Sequence, residues 1–199
     1  MSVPSCLIDS KGGLTDLARA SLHALTGVGM HLLSEVRIRR ATENWLRAPW
    51  YGYERGGAIT IGRTIWFTRK WFEAEGYGDG SLAATWNWLQ HLAHEVGHLP
   101  QAERFGYGLL GKARYVLAFT RQYGGRAMTL KKDVHDGARF EIEADRGRWT
   151  LRQLIGDQPL AHPLVHALHE GDAVAVSERC KALARRAADL RKTYDTNST

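Results

Sequence analysis

The chain contains little cysteine and no long apolar run. Cys6 and Cys180 are its only thiols in 199 residues, too few and too far apart to build a disulfide framework or a cysteine-based zinc site. No segment approaches the roughly 20 apolar residues that cross a bilayer, so we expect no membrane span. These absences favour a protein made in a reducing compartment.

The first residues, MSVPSCLIDSKGGL, lack the basic start and the apolar core of a classical signal peptide. We therefore expect the protein to be cytoplasmic as synthesised. Any export is expected to use a specialised secretion system that does not read such a signal.

Negative charge is in the minority, because 27 Lys and Arg against 21 Asp and Glu give a net charge of +6. With 44% hydrophobic and 24% charged residues, the composition is that of a globular protein. Basic residues cluster in RCKALARRAADLRK (179–192), where alanine and leucine recur at helical spacing. We interpret this stretch as an amphipathic helix with a solvated basic face, the alternative being an anion-binding face. Nucleic acid is not expected as a partner.

The pattern along the chain predicts one domain, residues 1–199, with a mainly α (α+β) fold. The segment AITIGRTIWF (58–67) alternates around Gly62-Arg63, which predicts a tight hairpin or one bent strand. Elsewhere the pattern is helical, with breaks at glycine or proline. The predicted helical segments are 14–48 with a break at Gly27 and Gly29, 82–99, Asp136 to Gly156, and the C-terminal region with interruptions at Pro159 and Pro163.

A histidine-rich helix is predicted from Ser81, a suitable N-cap, to about Leu99, where Pro100 should stop or kink it. His94 and His98 lie one turn apart on the same face of this helix. We expect that face to be open, because the apolar stripe lies on the other side, at Leu82, Trp86, Leu89, Ala93 and Val96.

The segment HEVGH (94–98) matches HExxH, a pattern whose spacing has a chemical reason. Two imidazoles one turn apart can bind one zinc ion at about 2.0–2.1 Å, and Glu95 then stands where it can take a proton from water at the metal. Gly97 costs this helix about 1 kcal/mol relative to alanine, which indicates a close neighbour of the backbone. The alternative is an ordinary polar helix face. His91, about 10.5 Å along the axis from His98, is predicted to line the cleft or support the ligands.

A third ligand is needed, because catalytic zinc usually has three protein ligands and one open position. Arg104 stands where a longer motif would place a third histidine, so that ligand is absent. The segment FEIEAD (140–145) offers three carboxylates on a later helix. Glu141 and Asp145 share one face of that helix, whereas Glu143 points the opposite way.

The order HEVGH followed by Glu141-x-x-x-Asp145 resembles the gluzincin zinc metallopeptidases, whose pattern is HExxH…ExxxD. The resemblance implies a zincin-like minimal metallopeptidase, in which an active-site helix and a second ligand-bearing helix accompany a small β element and hold Zn2+. Glu143 stays as the alternative third ligand. The implied site consists of one catalytic glutamate, three metal ligands and one carboxylate that fixes the tautomer of a histidine ligand: Glu95; His94, His98 and Glu141; and Asp145.

Residues 58–150 also resemble small peptidase domains of bacterial contractile injection systems and polymorphic toxins, in which a short strand precedes a helix reading LAHExxHxxQ. The resemblances imply a metallopeptidase core at 58–155 with helical flanks at 1–57 and 156–199. The implied function is a zinc-dependent endopeptidase, a secreted or injected bacterial effector or toxin, with a protein or peptide substrate and an injection-system or immunity protein as partner. Pro100 departs from this pattern and leaves the position of Gln101 open.

Two other functions fit the same residues. A non-catalytic interaction domain, with a structural zinc or none, would dock to an injection apparatus or an anionic partner. A zinc hydrolase that cleaves cell-wall peptides keeps the chemistry and changes the substrate.

Further residues with relevant chemistry lie outside the motif. His162, His166 and His169 are predicted on a surface or core helix, and a second metal site is the alternative. The strand at 58–67 is expected to pair with an extended substrate, as the family architecture implies. Peptide hydrolysis also needs a donor that stabilises the oxyanion, and the candidates by chemistry are Tyr115, Tyr123, His135 and Arg139.

Overall fold

The structure, a computed structural model, describes residues 3–41, 57–127 and 138–197, and for 123–127 it describes the backbone alone. These residues form a mainly helical fold with a small three-stranded sheet, which confirms the predicted fold class at that level. None of their helices is both long enough and apolar enough to span a bilayer. The helices are α1 (Asp16–Thr26), α2 (Met30–Ser34), α3 (Lys70–Glu73), α4 (Leu82–Glu95), α5 (Leu99–Phe105), α6 (Leu109–Ala127), α7 (Arg139–Ile155), α8 (Pro163–Glu170) and α9 (Ala173–Asn197).

The sheet contains β1 (Arg37–Arg40), β2 (Ala58–Ile61) and β3 (Thr64–Phe67) in the order β1-β3-β2. The last two are antiparallel, with Ile61 opposite Thr64, so Gly62 and Arg63 form a two-residue turn. Gly62 has a φ of 63°, the left-handed conformation that such turns require. The predicted hairpin is therefore confirmed.

Strand β1 was not predicted, and a purely helical flank at 1–57 is wrong for Arg37–Arg40. The segment RIRR shows one apolar residue among three arginines, so it carries no clear alternation. Its extended conformation comes from parallel pairing with β3, in which Ile38 lies opposite Ile65. Such tertiary pairing outweighs weak local preference.

The helical segments begin and end largely where glycine and proline predict. Helix α1 is capped at its C-terminal end by Gly27, which has a φ of 77°, and α2 begins after Gly29. In the C-terminal region, Pro159 starts a single 3-10 turn and Pro163 starts α8. Helix α9 contains the basic stretch and buries Val176, Cys180 and Ala187, while its basic residues Arg179, Lys181, Arg185 and Arg186 are exposed.

The core lies where the helices converge. Helix α7 packs against α4, α1 and α9, and α8 packs against α4 and α9. The hairpin contributes Ile65 and Phe67, and the ring of Phe67 lies 4.6 Å from that of Trp88 on α4. This arrangement surrounds α4 on more than one side.

The predicted apolar stripe of α4 is wrong in part for that reason. Leu89, Ala93 and Val96 are buried as predicted, but Leu82 and Trp86 are only half-buried. Trp88 and Leu92, outside the predicted stripe, are fully buried. The face opposite the stripe is covered as well, so the histidine face of α4 is not open.

Candidate metal centre

The helix type changes between the two histidines of the motif. Ser81 caps α4 as predicted, since its hydroxyl accepts a hydrogen bond from the Ala84 N–H at 3.1 Å. The α-helix ends at Glu95, residues 96–98 form a 3-10 turn, and α5 begins at Leu99. Pro100 has no N–H to donate to an earlier carbonyl, which interrupts the α-helical hydrogen bonds before it. The α-helix therefore ends before Pro100, as predicted, but the path stays helical through the 3-10 turn into α5.

Helix α7 approaches this 3-10 turn closely because small residues line the crossing. A Cβ on Gly97 would lie 2.5 Å from the carbonyl oxygen of Ala144, and a Cβ on Gly147 would lie 2.6 Å from that of Ala93. Both distances are far below ordinary contact, so glycine is required at both positions. The close neighbour inferred from Gly97 is the backbone of α7. The crossing brings Glu141, one turn before Ala144, against the histidines.

Three donor atoms converge at the crossing. The Nε2 atom of His94 lies 3.2 Å from Oε2 of Glu141, and Nε2 of His98 lies 3.9 Å from the same oxygen. Donor atoms bound to one tetrahedral zinc ion at about 2.0–2.2 Å lie about 3.4 Å apart. The three side chains therefore fit a metal ion, and they form the one such cluster found among the described residues.

The backs of both imidazole rings are hydrogen-bonded. Nδ1 of His94 donates to Oδ1 of Asp145 at 3.1 Å, and Nδ1 of His98 donates to Oε1 of Gln101 at 3.0 Å. Gln101 in turn donates through Nε2 to the carbonyl of Phe140 at 2.7 Å, which fixes its amide orientation. With Nδ1 protonated, each ring presents the lone pair of Nε2 towards Glu141.

The function of Gln101 was missed by sequence reasoning. Its signal was the i, i+3 spacing from His98, which places both side chains on one helical face. Because Pro100 lies in the first turn of α5, where its missing N–H is tolerated, the path stays helical and Gln101 reaches back to the ring. Gln101 therefore lies in α5, beside the ring of His98.

The centre is buried, and the pKa values of two of its side chains are shifted. His94, His98 and Glu141 are 7%, 5% and 5% exposed. Burial lowers the pKa of His94, but hydrogen bonds to Asp145 and Glu141 outweigh burial and raise that pKa to about 9. Burial likewise raises the pKa of Asp145, while its bonds to His94 and Arg148 prevail and lower it. A proton and a metal ion therefore compete for Nε2 of His94.

Glu95 is held at the end of α4 beside the cluster. The residue is 5% exposed, and Oε2 accepts a hydrogen bond from the hydroxyl of Thr60 at 2.7 Å. Thr60 belongs to β2, at one edge of the sheet that the described residues form. Sequence reasoning did not identify Thr60, because its partner is 35 residues away.

The structure separates the two acidic candidates for the third ligand. Glu143 accepts from Arg104 at 2.5 Å and from Arg139 at 3.2 Å, and its one contact towards the histidines is indirect, at 3.5 Å from Nε2 of Gln101. Glu141 is the carboxylate that meets them. His91 is not part of the cluster either: its ring lies 4.2 Å from that of Trp71, and burial lowers its pKa to about 3.

The remaining sequence candidates fall in three places. The Tyr115 hydroxyl lies 3.5 Å from Nδ1 of His98, on the edge of the ring away from Glu141, so it does not face the cluster. Arg139 is exposed and paired with Glu143. Tyr123 (its side chain) and His135 lie outside what is described.

The C-terminal histidines have separate partners. Nδ1 of His162 accepts from the Leu164 N–H at 3.2 Å, and Nε2 of His166 lies 2.7 Å from the carbonyl of Leu160. His169 contacts the hydroxyl of Thr85 at 3.0 Å. His166 and His169 lie on α8 as predicted and His162 is its N-cap, and among the residues described here these three histidines form no metal cluster.

Comparison with known proteins identified no relative of this chain. No family model matches the chain, and no curated protein or solved structure matches it. The interpretation of the centre therefore depends on its own geometry and chemistry.

Proposed function

We propose that the protein is a zinc-dependent endopeptidase of the gluzincin type. The observation that carries this proposal is the buried convergence of Nε2 of His94, Nε2 of His98 and Oε2 of Glu141, with Glu95 next to the first ligand. Two imidazoles and one carboxylate are a donor set that zinc prefers, and three protein ligands leave one position open. A bound zinc ion supplies Lewis acidity, which lowers the pKa of water and polarises a carbonyl.

Residues of the chain would carry out proton transfer, orient the ligands and bind the substrate. Glu95 takes a proton from water as the water oxygen bonds to the carbonyl carbon of the substrate. It returns that proton to the amide nitrogen as the C–N bond breaks, so the products are a carboxylic acid and an amine. Asp145 and Gln101 keep the two imidazoles in the tautomer that offers Nε2. Strand β2, at an edge of the sheet, is the proposed pairing site for an extended peptide.

The proposed setting is a bacterial effector or toxin that is secreted or injected. The support is the resemblance of residues 58–150 to peptidase domains of injection systems and polymorphic toxins. The substrate is then a protein or peptide, including the peptides of a cell wall, and an immunity protein would protect the producing cell. Incubation with an unfolded protein and with cell-wall peptides distinguishes the two substrate classes.

The decisive experiment compares two glutamine variants. Glu95→Gln should retain one zinc per chain and lose cleavage of an unfolded protein substrate, because the amide cannot accept the proton. Glu143→Gln, the same change on α7 outside the cluster, should retain both zinc and cleavage. Full activity in Glu95→Gln would refute the mechanism.

A second candidate is a non-catalytic domain with a structural metal, and the burial of the ligands favours it. Each ligand residue is at most 7% exposed, as in closed structural sites. An open coordination position separates the candidates. A cobalt-substituted protein should change its visible spectrum when a hydroxamate is added if the site is catalytic, and should not change if the metal is structural.

A further inference from the structure

Strand β2 buries a threonine on the face of the strand where an apolar side chain is expected. Its sequence is Ala58-Ile59-Thr60-Ile61, and Thr60 is its one buried residue, at 4% exposure, while both isoleucines are half-buried. A strand at a sheet edge usually turns its apolar side chains inward. A buried hydroxyl destabilises the fold unless it is hydrogen-bonded, so this position calls for a partner.

That partner is the carboxylate of Glu95. The Thr60 hydroxyl lies 2.7 Å from Oε2 of Glu95 and 3.3 Å from its carbonyl oxygen. A hydroxyl has one proton to donate, and the shorter, charged contact takes it. The bond joins two fixed elements, since Thr60 pairs with Ile65 in the sheet and Glu95 ends α4. The β-branched side chain of threonine also has few rotamers, which limits movement of the hydroxyl.

We infer that Thr60 is the positioning residue of the proposed catalytic base. Its hydroxyl holds Glu95 by one carboxylate oxygen, which directs the other oxygen to the proton of water. Proton transfer needs the base within hydrogen-bond reach of that proton, so a carboxylate fixed in place transfers it more often than one that swings between rotamers. This inference rests on the proposed peptidase function.

A merely structural function for the same bond predicts different behaviour. If Thr60 only satisfies a buried carboxylate, its removal lowers the stability of the protein and leaves turnover by the folded fraction unchanged. If it positions the base, its removal lowers kcat while KM and zinc content stay as in the wild type. The split between kcat and KM therefore separates the two.

The test uses three threonine variants of the full chain loaded with zinc. Thr60→Val removes the hydroxyl and keeps the β-branched shape, and it should lower kcat for an unfolded protein substrate by roughly ten- to a hundredfold. Thr60→Ser keeps a hydroxyl and should recover most of the rate. Thr85→Val removes another buried hydroxyl, one that contacts His169, and should leave kcat unchanged.

A second measurement does not depend on activity. Urea unfolding of chelator-treated protein gives a double-mutant cycle for Thr60→Val, Glu95→Gln and their combination. The shifts in midpoint should be non-additive, because Thr60→Val removes the donor of the bond and Glu95→Gln replaces its charged acceptor with a neutral one. Additive shifts would show that the two side chains do not interact in solution and would overturn the inference.

The possible results distinguish a failure of the positioning function of Thr60 from a failure of the proposed peptidase function. Wild-type kcat in Thr60→Val, alongside zinc-dependent cleavage by the wild type, overturns the positioning function alone. A fall in kcat that comes with lost zinc, or that Thr85→Val shares, assigns the effect to folding and also overturns it. No zinc-dependent cleavage by the wild type overturns the peptidase proposal and the inference together.

Discussion

Protein stripped of metal by a chelator should lose stability as the pH rises from 6.5 to about 9. His94 is responsible, because its hydrogen bonds to Asp145 and Glu141 hold its pKa at about 9 in the folded chain against 6.5 for an ordinary histidine. A raised folded pKa stabilises the folded state fully below the unfolded value, and the contribution disappears as pH rises through the folded value. At 1.36 kcal/mol per pKa unit, the loss is about 3 kcal/mol.

Other described groups with resolved shifts act outside this interval. Burial lowers the pKa of His91 to about 3 and also lowers that of His162, so both affect stability only below pH 6.5. Burial raises the thiol pKa of Cys6 and Cys180 from 9.0, so they matter only near and above pH 9. Among the described groups with resolved shifts, His94 is therefore the one whose pKa shift acts within this interval.

Urea unfolding of the stripped protein across pH 6 to 9 measures the effect. Asp145→Asn should flatten the pH dependence, because one of the two bonds that raise the pKa is weakened. Glu143→Gln, on the same helix, should keep the wild-type slope. Zinc-loaded protein should not show this loss, since a ring nitrogen bound to metal cannot take the proton. Constant stability of the stripped wild type across the interval would refute the reasoning.

Three further predictions concern metal affinity. Asp145→Asn should weaken zinc binding roughly 10- to 100-fold in a chelator competition, with Glu143→Gln as the reference; equal affinities would exclude a supporting function for Asp145. Gly97→Ala should destabilise the fold by about 1–3 kcal/mol and weaken zinc binding, because its Cβ would meet the α7 backbone; an unaltered thermal melt would contradict the close crossing. Gln101→Leu should weaken zinc binding more than Gln101→Glu, which keeps an acceptor for Nδ1 of His98; the reverse order would count against tautomer control.

Much of the centre could be predicted from sequence because helical spacing is a local property. His94 and His98 share a face by their separation alone, and Glu141 shares one with Asp145 for the same reason. Helical spacing alone does not decide between Glu141 and Glu143 as the third ligand, because the answer depends on which face α7 turns to α4. The glycine contacts at the crossing and the arginines that hold Glu143 decide that orientation.

The errors arose where distant segments decide the local environment. Strand β1 is extended because it pairs with β3, and its own residues give no sign of this. The histidine face of α4 was expected to be open, because one apolar stripe suggests one covered side. Packing of α4 against α7, α8 and the hairpin covers more of it, which buries His94 and His98. Thr60 escaped prediction for the same reason.

The position of the three candidate ligands along the chain would give a bound ion a second consequence. His94 and His98 precede residues 99–140 and Glu141 follows them. A metal ion held by all three would therefore keep the two ends of that segment together, as a covalent cross-link would. Helix α6 lies within it. Loss of the ion would then free both a reactive centre and the ends of a long chain segment, and chelation would loosen the molecule well beyond the three side chains that touch the metal.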